Sequence, residues 1–276
     1  MISLKSLFYL LFTCSIVAAD DPSVYQNSWN GHWFPYNPGT TQDLNPSFEI
    51  RKNLYDADHG IMMGVRNPHC DDGKTHLEVD WDFNPINYTC FILNRHNMYK
   101  PRSDVQPTYS YDYIPKGYSA LHKCMSDPID YNVVIPTFGT HRPLWAKYGE
   151  YTFLPRQRWV HNLEHGAVVM LYHPCADKNE VNMLRILVKK CLYRHIITPY
   201  NLLTAERPLA LVTWGHRLEM SKVAPELVLD FIRKHALKGP EQTARDGQYS
   251  LFLEKHADIV SDIGDHEICK VYDFIE

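Results

Sequence analysis

The amino-acid sequence predicts an α+β fold, in which a compact mixed sheet packs against two helices and a loop-rich, disulfide-tied N-terminal extension precedes them. Apolar runs of strand length, two amphipathic segments of helical period and a Pro-, Asn- and aromatic-rich N-terminal part all indicate this arrangement. We expect the extension at residues 20–124, the α+β core domain at residues 125–245 and a C-terminal tail at residues 246–276.

Two apolar runs predict buried strands of the core. Residues 167–172 are continuously apolar and partly β-branched, and residues 209–214 form a second run of the same kind. A shorter buried strand is expected at residues 133–135. Upstream, apolar and acidic residues alternate over residues 77–81, and this segment together with residues 88–93 predicts a β-hairpin.

Two segments carry the signals of helices. Asp177 is expected to cap a helix over residues 178–195, whose apolar stripe faces the core. Pro225 suits the first turn of a second helix, which Gly239 and Pro240 would end. The resulting order of β, β, α, β, α indicates a compact α+β domain.

The first residues are typical of a secretory signal peptide, which we place at residues 1–19. Lys5 precedes an apolar run over residues 7–17, and small residues lead to a cleavage site after Ala19. The alternative is a membrane anchor, but the run is shorter than the ~20 apolar residues that span a bilayer. We therefore expect a secreted protein, or one in the lumen of the secretory pathway, with no membrane span in the mature chain.

The cysteines predict a disulfide framework. Cys14 would leave with the signal peptide, and six cysteines would remain, namely Cys70, Cys90, Cys124, Cys175, Cys191 and Cys269. An even number in an oxidising compartment indicates three disulfides, while about fifteen pairings are possible for six cysteines. Cys175 and Cys191 are expected to bracket one helix, and Cys269 to staple the C-terminal tail to the domain.

Charge and motifs narrow the class of partner. The chain has 28 Lys and Arg against 32 Asp and Glu, with a net charge of −4, and this balance argues against a nucleic-acid partner. A Gly-rich phosphate loop, a nucleophile elbow and a dinucleotide motif are all absent from the sequence. Asn87 begins an N-glycosylation sequon, so a surface glycan is expected there.

The segment between the first two core strands is rich in residues that bind metals. His161 and His165 are four apart, so one helical turn would place both imidazoles on one face. His141 lies upstream and could supply a third nitrogen, whereas Glu164 could ligate, orient a histidine or act as a catalytic base. Imidazole ligands in an oxidising compartment favour zinc or copper.

Two other patterns point to metals less specifically. Residues 161–165 match the inverted zinc-peptidase motif H-x-x-E-H, but that motif needs a long helix, and Gly166 followed by an apolar run indicates a strand. His59 with Met62 and Met63 has the composition of an extracellular copper site.

A purely structural role is the main alternative for these histidines. His161 and His165 could be hydrogen-bonded polar groups at a turn, and Glu164 could form an ion pair with Arg142 or Arg158 that fixes the loop. In that case no metal ion would be needed.

Long motifs in the core resemble the tumour protein p53-inducible protein 13 family, the animal members of a bacterial domain family of unknown function. The matching segments are residues 137–145, 148–151, 158–169, 207–215 and 230–241. The family's pattern is a Ser-Gly-x-His loop followed by His-x-Leu-Glu-His-Gly, and His141, His161, Glu164 and His165 match its histidine and glutamate positions. The resemblance implies no established biochemical activity, although it links the family to a stress response and to growth suppression.

Two hypotheses follow from these observations. The first is a secreted or luminal metal-binding domain, with hydrolysis as a candidate activity, in which His141, His161 and His165 bind the ion and Glu164 serves as base or orienting group. The second is a non-catalytic extracellular interaction protein with an unidentified extracellular protein partner, acting in stress response or growth suppression. Only the first requires the imidazole nitrogens to converge on one point.

Overall fold

The structure is a computed structural model that describes residues 55–92 and 99–270. Its strands are β1 (Thr108–Tyr111), β2 (Gly149–Tyr151), β3 (Val168–Tyr172), β4 (His195–Pro199), β5 (Leu209–Thr213), β6 (His216–Met220) and β7 (Leu253–His256). Its α-helices are α1 (Arg156–Glu164), α2 (Lys178–Cys191) and α3 (Pro225–His235). The predicted signal peptide lies outside the described residues.

The strands form one mixed sheet of seven strands in the order β1-β6-β5-β3-β4-β2-β7. Strands β2, β4 and β3 run parallel at its centre, and antiparallel pairs extend it on both sides. The mixed sheet with packed helices confirms the predicted α+β class. Strands β1 and β7 belong to the same sheet but lie outside the predicted 125–245 core.

The two parallel connections place helices on opposite faces of the sheet. The chain passes from β2 through α1 to β3, and then returns through α2 to β4, which lies between them. Because crossovers are almost always right-handed, two that travel in opposite directions put their helices on opposite sides. Accordingly α1 packs in one hydrophobic cluster, and α2 and α3 pack in the other.

Strand β3 shows why a continuous apolar run was needed. Val169 and Leu171 belong to the cluster on the α1 side, whereas Val168 and Met170 belong to the cluster on the α2 and α3 side. All four are fully buried. Since successive side chains of a strand point to opposite faces, a strand covered on both faces must be apolar throughout.

The predicted helices are confirmed, and the structure adds a third. Helix α2 begins where predicted, and the Asp177 carboxylate accepts hydrogen bonds from the amides of Asn179 and Glu180. It ends at Cys191, four residues earlier than predicted, because the chain must turn into β4. Helix α1 was not predicted, since most of its nine residues are polar although eight of them are buried.

Three strand predictions are wrong, two in the loop-rich extension and one in the core. Residues 77–79 form a 3-10 helix, and residues 88–92 form no strand. Leu77 and Trp81 are both buried because four residues of a helical turn bring them to the same side, so the alternation mimicked a strand. Residues 133–135 are irregular, with Val133 and Val134 exposed and Ile135 buried. The predicted hairpin is therefore absent from the described residues.

Three disulfides tie down the loop-rich extension and the tail: one lies within the extension, and two join the extension and the tail to the core. The pairs are Cys70–Cys124, Cys90–Cys175 and Cys191–Cys269. Cys175 and Cys191 flank α2 as predicted, and Cys269 staples the C-terminal tail to the end of that helix. Each bond closes a loop of more than fifty residues, which restricts the unfolded chain and so stabilises the fold.

Two buried ion pairs fasten the extension to the site region. The Arg158 guanidinium of α1 donates to both carboxylate oxygens of Asp71 and stacks 4.5 Å from the ring centroid of Tyr249. Arg142 forms an equivalent bidentate pair with Asp80, with Nε to Oδ2 at 2.8 Å. All four side chains are at most 2 % exposed.

In the part of the chain that the structure covers, no helix combines the length and apolarity needed to cross a membrane.

We expect Asp71→Asn to lower the free energy of unfolding by about 3–5 kcal/mol, because it leaves the buried Arg158 charge without an anion. Urea unfolding of the disulfide-bonded protein measures this loss. Asp230→Asn is the matched control, because it removes an exposed ion pair with Lys234. Equal stability of the Asp71→Asn variant and the control would show that the buried pair does not fasten the extension.

Candidate metal centre

Helix α1 presents three functional side chains on one face. His161, Glu164 and His165 stand at positions i, i+3 and i+4, which lie side by side at the end of a helix. The opposite face, with Trp159 and Leu163, packs into the sheet cluster. All three functional side chains are almost completely buried, so the helix aims them into the protein interior between the sheet and the loop-rich extension.

Backbone pairing of two loops brings two more histidines to this face. His122 and His141 form an isolated parallel bridge, in which the amide of His141 donates to Leu121 and the amide of Lys123 donates to His141, both at 3.0 Å. The Arg142 guanidinium also donates to the Lys123 carbonyl at 3.1 Å. The ring centroids of His122 and His141 consequently lie 4.9 and 4.3 Å from that of His161.

One hydrogen-bond pattern orients all four imidazoles. In each ring Nδ1 contacts a backbone carbonyl, with the pairs His122 to Ile61 at 2.6 Å, His141 to Gly139 at 2.8 Å, His161 to Arg142 at 2.6 Å and His165 to Glu241 at 2.6 Å. A carbonyl can only accept, so each Nδ1 carries the proton and each Nε2 carries a lone pair. This is the tautomer in which histidine binds a metal through Nε2.

The free nitrogens converge with a carboxylate. Nε2 of all four histidines and Oε2 of Glu164 are buried and have no hydrogen-bond partner among the described residues. The ligand atoms of His122, His141, His161 and Glu164 all lie within 4.8 Å of one another. Four ligands around a tetrahedral zinc ion would be about 3.4 Å apart. The arrangement is thus close to that of a coordination shell.

Glu164 and His141 form the closest pair of this group. Nε2 of His141 lies 3.1 Å from Oε2 of Glu164, although the alignment is not that of a hydrogen bond. Neither Arg142 nor Arg158 contacts Glu164, because each is paired with an aspartate of the extension. The ion pair expected under the structural alternative is therefore not formed, and neither arginine neutralises the carboxylate.

Burial favours the neutral form of His122, His161 and His165. It lowers the pKa of His122 to about 3 and that of His165 to about 4, and it holds the pKa of His161 well below its ordinary value. The neighbouring His141 lowers the pKa of His122 and His161 further. Burial by itself would raise the pKa of Glu164, but His141 and the other nearby histidines bring it below the ordinary value. Neutral imidazoles beside a carboxylate are the protonation states that bind a cation.

Two glycines allow a second segment to reach the centre. Gly239 lies against the backbone of α1, where an added Cβ would stand 2.0 Å from the Glu164 carbonyl oxygen. Gly166 has a φ of +85°, and its Cβ would stand 2.8 Å from Cα of Leu237. This close approach lets the Glu241 amide donate to the Glu164 carbonyl at 3.1 Å. It therefore places the Glu241 side chain beside the centre.

The structure brings together most of the predicted ligands and adds one. His141 and His161 belong to the group of mutually close ligand atoms. The His165 ring lies 4.8 Å from that of His161, at a tilt, without belonging to that group. His122 was not predicted, because it is a single histidine in a loop and only the pairing with His141 reveals its place. His173 accepts a hydrogen bond from the Cys175 amide and lies outside the centre.

The remaining predicted positions are also placed. Helix α1 ends at Glu164, and His165 is its C-cap, so the long helix of the inverted zinc-peptidase motif is absent. Asn87 ends a 3-10 helix, and its side-chain oxygen accepts from Nε1 of Trp81 at 3.1 Å. Its side chain is half-buried, and glycosylation there stays a prediction.

Comparisons with known proteins agree with the resemblance predicted from the sequence. Residues 122–248 match a family described as a protein of unknown function (DUF3105). The chain is 27% identical to tumor protein p53-inducible protein 13 of Rattus norvegicus over 122 aligned residues. The aligned residues make up 43% of this chain and 29% of the rat protein. The match therefore spans less than a third of the relative. No solved structure matches the chain significantly. The family match runs from His122 past Glu241, so it contains the histidine and glutamate residues of the centre described above.

We expect Gly239→Ala to reduce the free energy of unfolding by more than about 2 kcal/mol, because its Cβ cannot coexist with the Glu164 carbonyl. Chemical denaturation measures the change. Gly117→Ala is the control, since an added Cβ at Gly117 meets nothing within 4 Å. If both alanine variants unfold like the wild type, the close backbone contact beside the centre is wrong.

Proposed function

We propose that this chain is a metal-binding protein in which His122, His141, His161 and Glu164 hold one transition-metal ion. The observation that carries the proposal is the convergence of three unpartnered imidazole nitrogens and one carboxylate oxygen within 4.8 Å. An unsatisfied buried polar group costs roughly 1–3 kcal/mol, so four in one place would be a large penalty for a centre without a cation. One bound cation would satisfy all of them.

The ligand set favours zinc or copper. Three imidazoles and one carboxylate suit zinc or copper better than magnesium or calcium, which prefer oxygen ligands. The six described cysteines are all in disulfides, so thiolates do not compete for the ion. The sequence left open whether Glu164 is a metal ligand, an orienting group or a catalytic base. Its position among the four ligand atoms favours a role as ligand.

The burial of the centre favours a structural role for this ion. None of the four side chains is more than 4 % exposed. Four protein ligands without an open position are characteristic of structural zinc sites, whereas hydrolytic sites keep a position for water. The ion would join α1 to the His122 and His141 loops, and its binding energy would add to the stability of the fold.

The location that we propose is outside the cell or in the lumen of the secretory pathway. Three disulfides support it, because such bonds form and persist in oxidising compartments. The signal peptide predicted at residues 1–19 agrees with the same location.

An extracellular interaction protein is the second candidate. Edge strand β1 and the residues that follow it expose Tyr109, Tyr111 and Tyr113, each by more than half. Exposed aromatic side chains on an unpaired strand edge are features of binding surfaces. A role in stress response or growth suppression would belong to this candidate, and the name of the rat relative is its only support.

We expect the mature chain, expressed from Asp20 with its disulfides formed, to contain at least one zinc or copper ion per molecule. Mass spectrometry of the purified protein measures this content. His161→Ala should lose the ion of the centre while remaining folded. His195→Asn is the matched control, because His195 is equally buried with Nδ1 on a carbonyl but lies outside the cluster. A wild type without metal, even after incubation with zinc and copper, would contradict the proposal.

His122 and His165 should differ in their effect on affinity. His122→Ala removes a ligand, so we expect the Kd for zinc to rise by more than about 100-fold, beyond the 10–100-fold typical of groups that only orient ligands. His165→Ala should raise the Kd by about tenfold at most, because His165 lies beside the ligand group. Competition titration with a chromophoric chelator measures both values. A larger effect for His165→Ala would overturn the assignment of the fourth ligand.

A further inference from the structure

We propose a second metal site next to the first, formed by His59, Glu241 and the shared carboxylate of Glu164, so that the two ions make a binuclear centre. This inference rests on the proposed function, because Glu164 is a ligand of the first ion. The ligand class is again a divalent transition-metal ion.

The geometry of the second group supports the proposal. One ligand atom from each of His59, Glu164 and Glu241 lies within 4.8 Å of the others. Nε2 of His59 is 3.0 Å from Oε1 of Glu241, while Oε2 of Glu241 is buried and has no hydrogen-bond partner among the described residues. The group thus offers one nitrogen and two carboxylates to a single point.

His59 is oriented as a metal ligand would be. Its Nδ1 lies 3.2 Å from Oδ1 of Asp56, and its backbone amide donates to the same carboxylate oxygen at 3.1 Å. A carboxylate on Nδ1 fixes the ring and makes the other nitrogen a stronger donor to a metal. His59 is also tied to the first site, since its carbonyl accepts the His122 amide at 3.0 Å and the two rings stack 5.0 Å apart.

Glu164 connects the two groups. It is the one residue that belongs to both sets of mutually close ligand atoms, and a carboxylate has two oxygens that can bind two ions. Metal ions in two-metal sites lie about 3.5–4 Å apart, a distance that a bridging carboxylate spans. Glu164 and Glu241 also face each other in a partly buried place, where two negative charges repel unless a cation lies between them.

The second site differs from the first in its access to solvent. The Glu241 side chain is 29% exposed, compared with 2% for Glu164. Three protein ligands with an open side leave room for water in the coordination shell. The second ion would therefore bind more weakly and exchange faster than the first. It would also be the ion at which a bound water could be activated, whereas the first ion would hold the structure.

Zinc titration of the full mature chain by calorimetry tests the proposal, with metal content checked by mass spectrometry. We expect two ions per chain in the wild type, one tight and one at least tenfold weaker. Glu241→Gln should retain the tight ion, with its Kd changed by less than tenfold, and lose the weaker one. Glu226→Gln is the control, because Glu226 is an exposed glutamate of α3, and it should bind two ions like the wild type.

Copper(II) provides a second readout that does not depend on affinity. The paramagnetic resonance spectrum of the wild type should change from an isolated to a spin-coupled signal on addition of the second equivalent, and Glu241→Gln should show only the isolated signal.

Three outcomes would overturn this inference, and they differ in what they leave standing. One ion per wild-type chain, unaffected by Glu241→Gln, would remove the second site and leave the first in place. Two ions in both the wild type and Glu241→Gln would place the second ion elsewhere. No ion in the wild type would remove the proposed function as well.

Discussion

The hydrogen bonds from histidine Nδ1 to backbone carbonyls are the constraint on which the centre depends. Each bond fixes one imidazole in the tautomer that leaves Nε2 unprotonated, and the backbone geometry of the loops aims those nitrogens at each other. Burial also lowers the pKa of His122, His161 and His165, which favours their neutral form. The accepting carbonyls, those of Ile61, Gly139, Arg142 and Glu241, belong to three separate chain segments, so the fold and the centre are specified together.

The rest of the molecule supports this constraint from both sides. The sheet fixes α1 through its apolar face, and the ion pairs of Arg142 and Arg158 with Asp80 and Asp71 hold the loop-rich extension against α1. Because both arginines are engaged in these pairs, neither forms an ion pair with Glu164. The close backbone contacts at Gly166 and Gly239 place Glu241 next to the Glu164 carboxylate. A mostly irregular extension is thereby ordered around a polar interior by charge pairing and disulfides, in addition to the pairing of β1 in the sheet.

The sequence predicted the regular part of the fold better than the extension, for a physical reason. Strands β3 and β5 are apolar on both faces, and α2 carries a cap and an apolar stripe, so local patterns sufficed there. The strand prediction for residues 77–81 was wrong because a helical turn also buries Leu77 and Trp81, while it leaves Val79 exposed. His161 and Glu164 were predictable from their spacing within one turn. His122 was not predictable, because its bridge to His141, about twenty residues along the chain, leaves no local signal in the sequence. Glu241 was not predictable either, because only its backbone contact with the distant Glu164 brings it to the centre.

Anomalous diffraction at the zinc or copper absorption edge, from crystals of the metal-bound protein, tests the central claim most directly. We expect a peak about 2.0–2.2 Å from the Nε2 atoms of His122, His141 and His161, with each Nδ1 still hydrogen-bonded to its backbone carbonyl. Metal bound only at surface histidines, or contacts through Nδ1 with the carbonyl bonds broken, would contradict it.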